Sequence, residues 1–253
     1  MNFINHFILI LLFVIFASCS KEKINESVIK EKSLDGQVLE AYSEGLDSLK
    51  GGDVLFAAKK FNEAEMLFPQ SEWAPKSALM AAYSYYSQDY LDDAIAELDR
   101  FLLVYPLSKD KDYAIYLLAN SHYEKIVDEK KDLQSILFAK ENFVKLQKNF
   151  PNTEYALDAE FKIDLINDIL ASKEMYLGRY YFDRKKWIPS INRFRTVIDE
   201  YDTTIYVEEA LHRLVEVYYT IGLINEAEKY ANILGYNYVV ISQNISIFFS
   251  LIY

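Results

Sequence analysis

The sequence predicts an all-α solenoid of about five helix–turn–helix units, and three observations carry that expectation. Residues recur at matched offsets: Gly45, Ala57, Phe61, Ala64 and Pro69 in one stretch, then Ala82, Ala94, Leu98, Phe101 and Pro106 in the next. The small residue that opens each second helix returns as Ala57, Ala94, Ala139, Ser190 and Ala227, at intervals of 37, 45, 51 and 37 residues. Pro69, Pro106 and Pro151 fall just beyond second helices, where a ring without an N–H ends the helix. Self-similarity at such a period marks stacked units that each bury one face against a neighbour.

The small–Ala–large–Ala/Phe–Pro order resembles the tetratricopeptide repeat (TPR), whose unmodified length is about 34 residues. The longer intervals here therefore imply insertions, the largest around 124–134 and 152–172. The array is expected over 37–234, with repeats near 38–71, 75–108, 112–151, 171–204 and 208–235. Small residues at Gly45, Ala82, Ala119 and Gly178 let the two helices of a pair approach closely. Phe61, Leu98, Phe143 and Phe194 fill the space beside them. In the fourth copy Asp202 stands where the first three copies carry Pro, suited to end one helix and cap the next. The fifth copy rests on Leu211, Tyr218, Gly222, Ala227 and Leu234, atypical as terminal repeats are. The mostly charged segment Glu124 to Gln134 reads as an extended helix end plus loop.

Residues 1–18 read as a secretory signal: a nearly unbroken apolar run from Phe7 to Phe16, then small residues, too short to span a bilayer. Cys19 is the only cysteine, so it has no internal disulfide partner. Phe16-Ala17-Ser18-Cys19 resembles a bacterial lipobox, in which the Cys is lipidated and the chain is cut before it; Phe16 replaces the usual Leu. Ser20 after the Cys resembles the outer-membrane sorting class rather than the Asp-marked inner-membrane class. The expected location is thus the outer membrane, lipid-anchored and facing the periplasm. Residues 19–36 alternate charges of both signs without an aromatic and read as the lipidated Cys plus a flexible tether. Residues 235–253 are an apolar tail of uncertain structure; it could cover the last repeat or bind a partner.

A formal net charge of −11 argues against nucleic acid, which needs a basic footprint. No catalytic residue, cofactor or metal is expected. The histidines are His6, His122 and His212, with no metal-ligand spacing, no Gly-rich phosphate loop and no Gly-x-Ser-x-Gly. Asp92-Asp93 reads as a solvated helix start and His122 as a packing residue.

Two surfaces stand out. In TPR arrays the first helix of each pair lines the inner face, and the repeat phase puts Tyr42, Leu46, Tyr83, Tyr86, Tyr113, Tyr116 and Tyr123 there. Several tyrosines on one face can grip apolar and aromatic side chains while their hydroxyls stay wet; packing between helices is the plainer alternative for each. In the fourth copy, Arg179, Arg184, Lys185, Lys186, Arg193 and Arg195 stand against Asp183 alone. That is either a solvated turn or a docking surface anchored by Tyr181 and Trp187.

From Phe150-Pro151-Asn152-Thr153-Glu154-Tyr155 through Tyr180-Tyr181, Arg184, Trp187 and Asn192-Arg193, the chain resembles the BamD family of outer-membrane β-barrel assembly lipoproteins. The likeness covers roughly 19–235. It implies a five-TPR fold and a non-catalytic scaffold. Its amino-terminal repeats would receive the carboxy-terminal segments of unfolded outer-membrane proteins. Its carboxy-terminal repeats would dock the barrel-forming subunit of the BamA type, alongside other assembly lipoproteins. The resemblance carries partner docking onto Tyr181, Arg184, Lys186, Trp187, Asn192 and Arg193. A TPR adaptor for cell-envelope or peptidoglycan enzymes is the alternative.

Overall fold

The computed structural model describes residues 33–126 and 133–237, for side chains up to Gly235. The expected signal, Cys19 with its tether, and the tail beyond Asn237 lie outside them. Ten helices occupy the described residues: α1 (Leu34–Lys50), α2 (Val54–Leu67), α3 (Trp73–Tyr86), α4 (Leu91–Val104), α5 (Lys111–Glu124), α6 (Leu133–Asn149), α7 (Glu154–Asp183), α8 (Trp187–Glu200), α9 (Val207–Thr220) and α10 (Ile224–Asn237). Each packs on the next along the chain, so the all-α repeat array expected from the sequence is what forms.

The turn inside each pair is written in backbone as well as side chains. Asp53, Tyr90, Lys186 and Leu223 donate their amides to the carbonyls of Ser48, Tyr85, Tyr181 and Tyr218, each five residues back. The residue before each donor is left-handed: Gly52 at φ 83°, Asp89 at 61°, Lys185 at 56° and Gly222 at 80°. Four of the five pairs therefore reverse by one device; the third pair's turn includes 127–132, outside the described residues. Ser33, Asp53 and Thr153 cap α1, α2 and α7 by accepting from Gly36, Phe56 and Ala156 amides, which satisfies donors the helix itself leaves unpaired. Helices α2, α4 and α6 stop two residues before Pro69, Pro106 and Pro151. In the fourth copy α8 stops at Glu200, but Asp202 does not cap α9, whose cap position is Tyr206 without a side-chain bond. The intervening Thr204 turn, closed on the Tyr201 carbonyl, moves the helix start beyond Asp202's reach.

The steric rule holds where it is tightest. Ala57, Ala94, Ala139, Ser190 and Ala227 are fully buried, as are Phe61, Leu98, Phe143 and Phe194. A Cβ placed on Gly45 would meet the Phe61 ring at 2.8 Å, and one on Gly178 the Phe194 ring at 2.4 Å. Burying such a ring is worth about 2–3 kcal/mol, and close approach is what allows it. Beside that contact the Ser190 hydroxyl donates to the Gly178 carbonyl at 2.9 Å.

The 152–172 insertion is helical and runs straight on into the fourth repeat. Helix α7 extends over 30 residues without a break, so the boundary expected near 171 falls inside it. Its second half pairs with α8 through Gly178 and Phe194, while its first half packs on α6 through Ala159 and Ile166.

Candidate functional site

The first helices α3, α5 and α7 bring five tyrosines together. Tyr83 and Tyr86 come from α3, Tyr113 and Tyr116 from α5, and Tyr155 from the first turn of α7. The Tyr155 ring lies 5.1 Å from Tyr116 and 5.3 Å from Tyr113, within the range in which aromatic pairs attract. The Tyr86 hydroxyl donates to Glu124 at 2.5 Å and the Tyr116 hydroxyl to Asp158 at 2.8 Å. Burial, then the neighbouring tyrosines Tyr83, Tyr155 and Tyr116, push Tyr113 up to about 12. Burial and the Asp158 bond do the same to Tyr116. The wall thus offers uncharged rings above carboxylates.

Tyr42, Leu46 and Tyr123 make other contacts. Tyr42 is wedged edge-on between Phe61 and Trp73, 5.2 Å from each, and Leu46 packs with it against Ala57, Phe61 and Ala81. Tyr123 packs on the third repeat's core and carries the Lys162 ammonium 4.6 Å over its ring. Of the seven residues expected in the groove, Tyr83, Tyr86, Tyr113 and Tyr116 form the wall. Tyr155 completes it; only its place in the Phe-Pro-Asn-Thr-Glu-Tyr turn could have marked it. His122 packs 5.2 Å from Phe138, and Asp92 and Asp93 lie in the first turn of α4, where Asp92 pairs with Lys125.

The second region spans α7, its turn and α8. Tyr181, Asn192 and Arg193 line a cavity of about 260 Å³ together with Pro189 and Thr196. The Arg184 guanidinium lies 3.6 Å over the Tyr180 ring, while Lys185 and Lys186 are exposed. Half of the basic cluster is neutralised by acids: Arg179 pairs with Glu209 at 2.8 Å, Arg193 with Glu174 at 2.9 Å, and Arg195 faces Asp199 at 3.6 Å. Trp187 is turned inward, edge-on to Phe182 at 5.6 Å, so it braces the turn that presents Arg184 and Lys186. Tyr180, Pro189 and Thr196 are additions that sequence spacing did not mark as a site.

A cavity of about 730 Å³ lies apart from both regions, lined by Lys59, Asn62, Glu63, Met66, Leu67 and Tyr85. Nearby, Glu65 is buried and accepts two bonds from Arg100, at 2.8 and 2.7 Å, and one from the Tyr105 hydroxyl at 2.6 Å. Burial alone would raise the Glu65 pKa; Arg100 and Tyr105 outweigh it and hold the carboxyl below its ordinary range. This ties the first repeat to the second. Among the described residues no group of three or more His, Cys, Asp or Glu is placed to hold a metal ion, and no described helix is long and apolar enough to cross a membrane.

Paired helices stacked in one array, with successive first helices contributing to a shared aromatic wall, define an all-α helical-repeat protein. The profile of the outer membrane lipoprotein family YfiO matches residues 34–233. The chain is 37% identical over 230 residues to the outer membrane protein assembly factor BamD of Rickettsia prowazekii, covering 91% of this chain and 89% of that one. It is 42% identical over 197 residues to the factor of that name from Caulobacter vibrioides, covering 78% and 65%. With that of Neisseria meningitidis serogroup A it shares 33% over 198 residues, 74% of each chain. The chain belongs to this family of outer membrane lipoproteins, the BamD family.

Proposed function

We propose that this chain is an outer-membrane protein assembly factor: a non-catalytic scaffold, lipid-anchored through Cys19 and facing the periplasm. It holds segments of unfolded outer-membrane proteins and docks the barrel-forming subunit, of the BamA type, that inserts them. Membership of a family whose relatives are named assembly factors supports the setting. The single observation that carries the mechanism is the wall of Tyr83, Tyr86, Tyr113, Tyr116 and Tyr155, a surface fitted to aromatic and apolar side chains. Glu124 and Asp158 would repel a terminal carboxylate, so the wall takes the rings of an aromatic carboxy-terminal segment and leaves its carboxylate in solvent.

Tyr83→Ala combined with Tyr116→Ala should weaken binding of a peptide with aromatic residues at its carboxy terminus about tenfold, since each aromatic contact is worth roughly 0.5–1.5 kcal/mol. Fluorescence anisotropy reads the affinity and circular dichroism confirms the helices; unaltered affinity in a folded variant removes the wall from the mechanism. For the second surface, Arg184→Glu with Lys186→Glu should release the barrel-forming subunit on gentle purification from membranes. Both side chains are exposed, so the fold should persist. Continued co-purification would reduce the patch to solvated surface. Recovery of the intact chain with peptidoglycan enzymes instead would favour the envelope-adaptor reading.

A further inference from the structure

Helix α7 carries an apolar stripe that nothing described covers. Leu157, Phe161 and Leu165 succeed one another at helical spacing and are 62%, 70% and 50% exposed. The reason is a mismatch of length: α7 has 30 residues and its partner α8 only 14. Gly178 faces Phe194 and α8 ends six residues later at Glu200, so antiparallel pairing carries its end to about residue 172 of α7. Everything on α7 before Ile166 therefore overhangs the second helix of its own repeat.

The direction of the stripe is fixed by a contact further along the same helix. Phe161 and Arg179 are 18 residues apart, five turns at about 3.6 residues each, so they share an azimuth. Arg179 pairs with Glu209 in the first turn of α9 at 2.8 Å. The stripe thus faces the side on which α9 and α10 stack, below the start of α9. Short connections make α8, α9 and α10 alternate in direction, so α10 ends at the level where α9 begins. The chain therefore leaves the array near the level of Arg179, about 27 Å along α7 from Phe161 at roughly 1.5 Å per residue.

After Asn237 the chain continues from Tyr238 to Tyr253, sixteen residues without a charge and rich in Val, Ile and Phe. From α10 to α7 is two helix spacings, about 20 Å, which with the axial offset makes about 34 Å to Phe161, and sixteen extended residues reach about 53 Å. Glu160, Lys162 and Asp164 flank the stripe; an uncharged segment sets no like charge against any of them. We propose that residues 239–253 fold back onto Leu157, Phe161 and Leu165, so that the overhang of α7 is the docking site for the chain's own tail. This is independent of the assembly-factor reading.

The test is a cross-link in the full-length chain carrying Cys19→Ser, so that the native thiol neither pairs nor labels. With Phe161→Cys and Phe248→Cys, mild oxidation should yield a disulfide within one chain, identified by peptide mass, while pairing Lys59→Cys with Phe248→Cys should not. Phe161 is exposed, and circular dichroism checks that the helices survive. Labelling of a lone Phe161→Cys by a maleimide should also be several-fold slower in the full chain than in one ending at Tyr238. A dimer-sized disulfide product would place a second copy on the stripe and overturn the proposal. So would thiols that stay unlinked and label equally fast with and without the tail, which would leave the stripe to a different protein.

Discussion

Gly178→Val should cost about 3 kcal/mol, at the upper end for an overpacked core, and unfold the array at correspondingly lower denaturant. The first added carbon would stand 2.4 Å from the Phe194 ring. The contact has little room to relax, because the Ser190 hydroxyl holds α8 to the Gly178 carbonyl from the buried side and Phe194 is itself fully enclosed. A companion variant isolates the cause. The second repeat solves the same approach with Ala82 and Leu98, so Gly178→Ala with Phe194→Leu should be more stable than Gly178→Ala alone. Equal or lower stability of the double variant would mean that the ring is not what sets the helix spacing. Urea unfolding followed by circular dichroism reads both comparisons.

Arg100→Met should cost about 3 kcal/mol at neutral pH, near the lower end for breaking a buried pair, because Arg100 is itself 38% exposed. It should also reverse a pH dependence. In the native chain the Glu65 carboxyl is held below its ordinary value. Its contribution is therefore complete above the ordinary carboxylate range and lost as pH falls through the depressed value. Without Arg100, burial dominates and lifts the carboxyl above its ordinary value, with Tyr105 left as its hydrogen-bond donor. The variant is then penalised most at neutral pH and recovers as acid protonates Glu65. The stability gap between the two chains should narrow from neutral pH to about pH 4. A gap that is constant or widens would show that Glu65 is hydrated well enough to stand alone.

The features written in local spacing are legible in the sequence. Twelve residues separate Gly45 from Ala57 and Ala82 from Ala94, and those offsets alone fix which side chains meet between helices. The unbroken α7 is obscured when the 152–172 insertion is counted against a repeat length. The better signal is chemical: Glu154 to Asp183 holds no Pro and a single Gly, Gly178, so nothing stops the helix. The candidate sites are half legible for a related reason. Phase along one helix finds Tyr83, Tyr86, Tyr113 and Tyr116, but not the Tyr155 that a later helix swings against them. Nor can it separate them from Tyr42, which Trp73 pins from α3, two helices on. Likewise the basic run at 179–195 does not disclose its own neutralisation. Arg179 finds Glu209 30 residues ahead, and Arg193 reaches back 19 residues to Glu174.

Helix α7 has a mechanical meaning. It places Tyr155 and Asp158 near one end and Tyr180, Tyr181 and Arg184 at the other; Tyr155 and Tyr181 stand about 39 Å apart along the rod at roughly 1.5 Å per residue. The Tyr155 edge of the aromatic wall and the basic turn are thus bolted to a single lever arm. A tilt imposed at the basic turn must swing Tyr155 through the same angle against the tyrosines of α3 and α5, with no hinge between to absorb it.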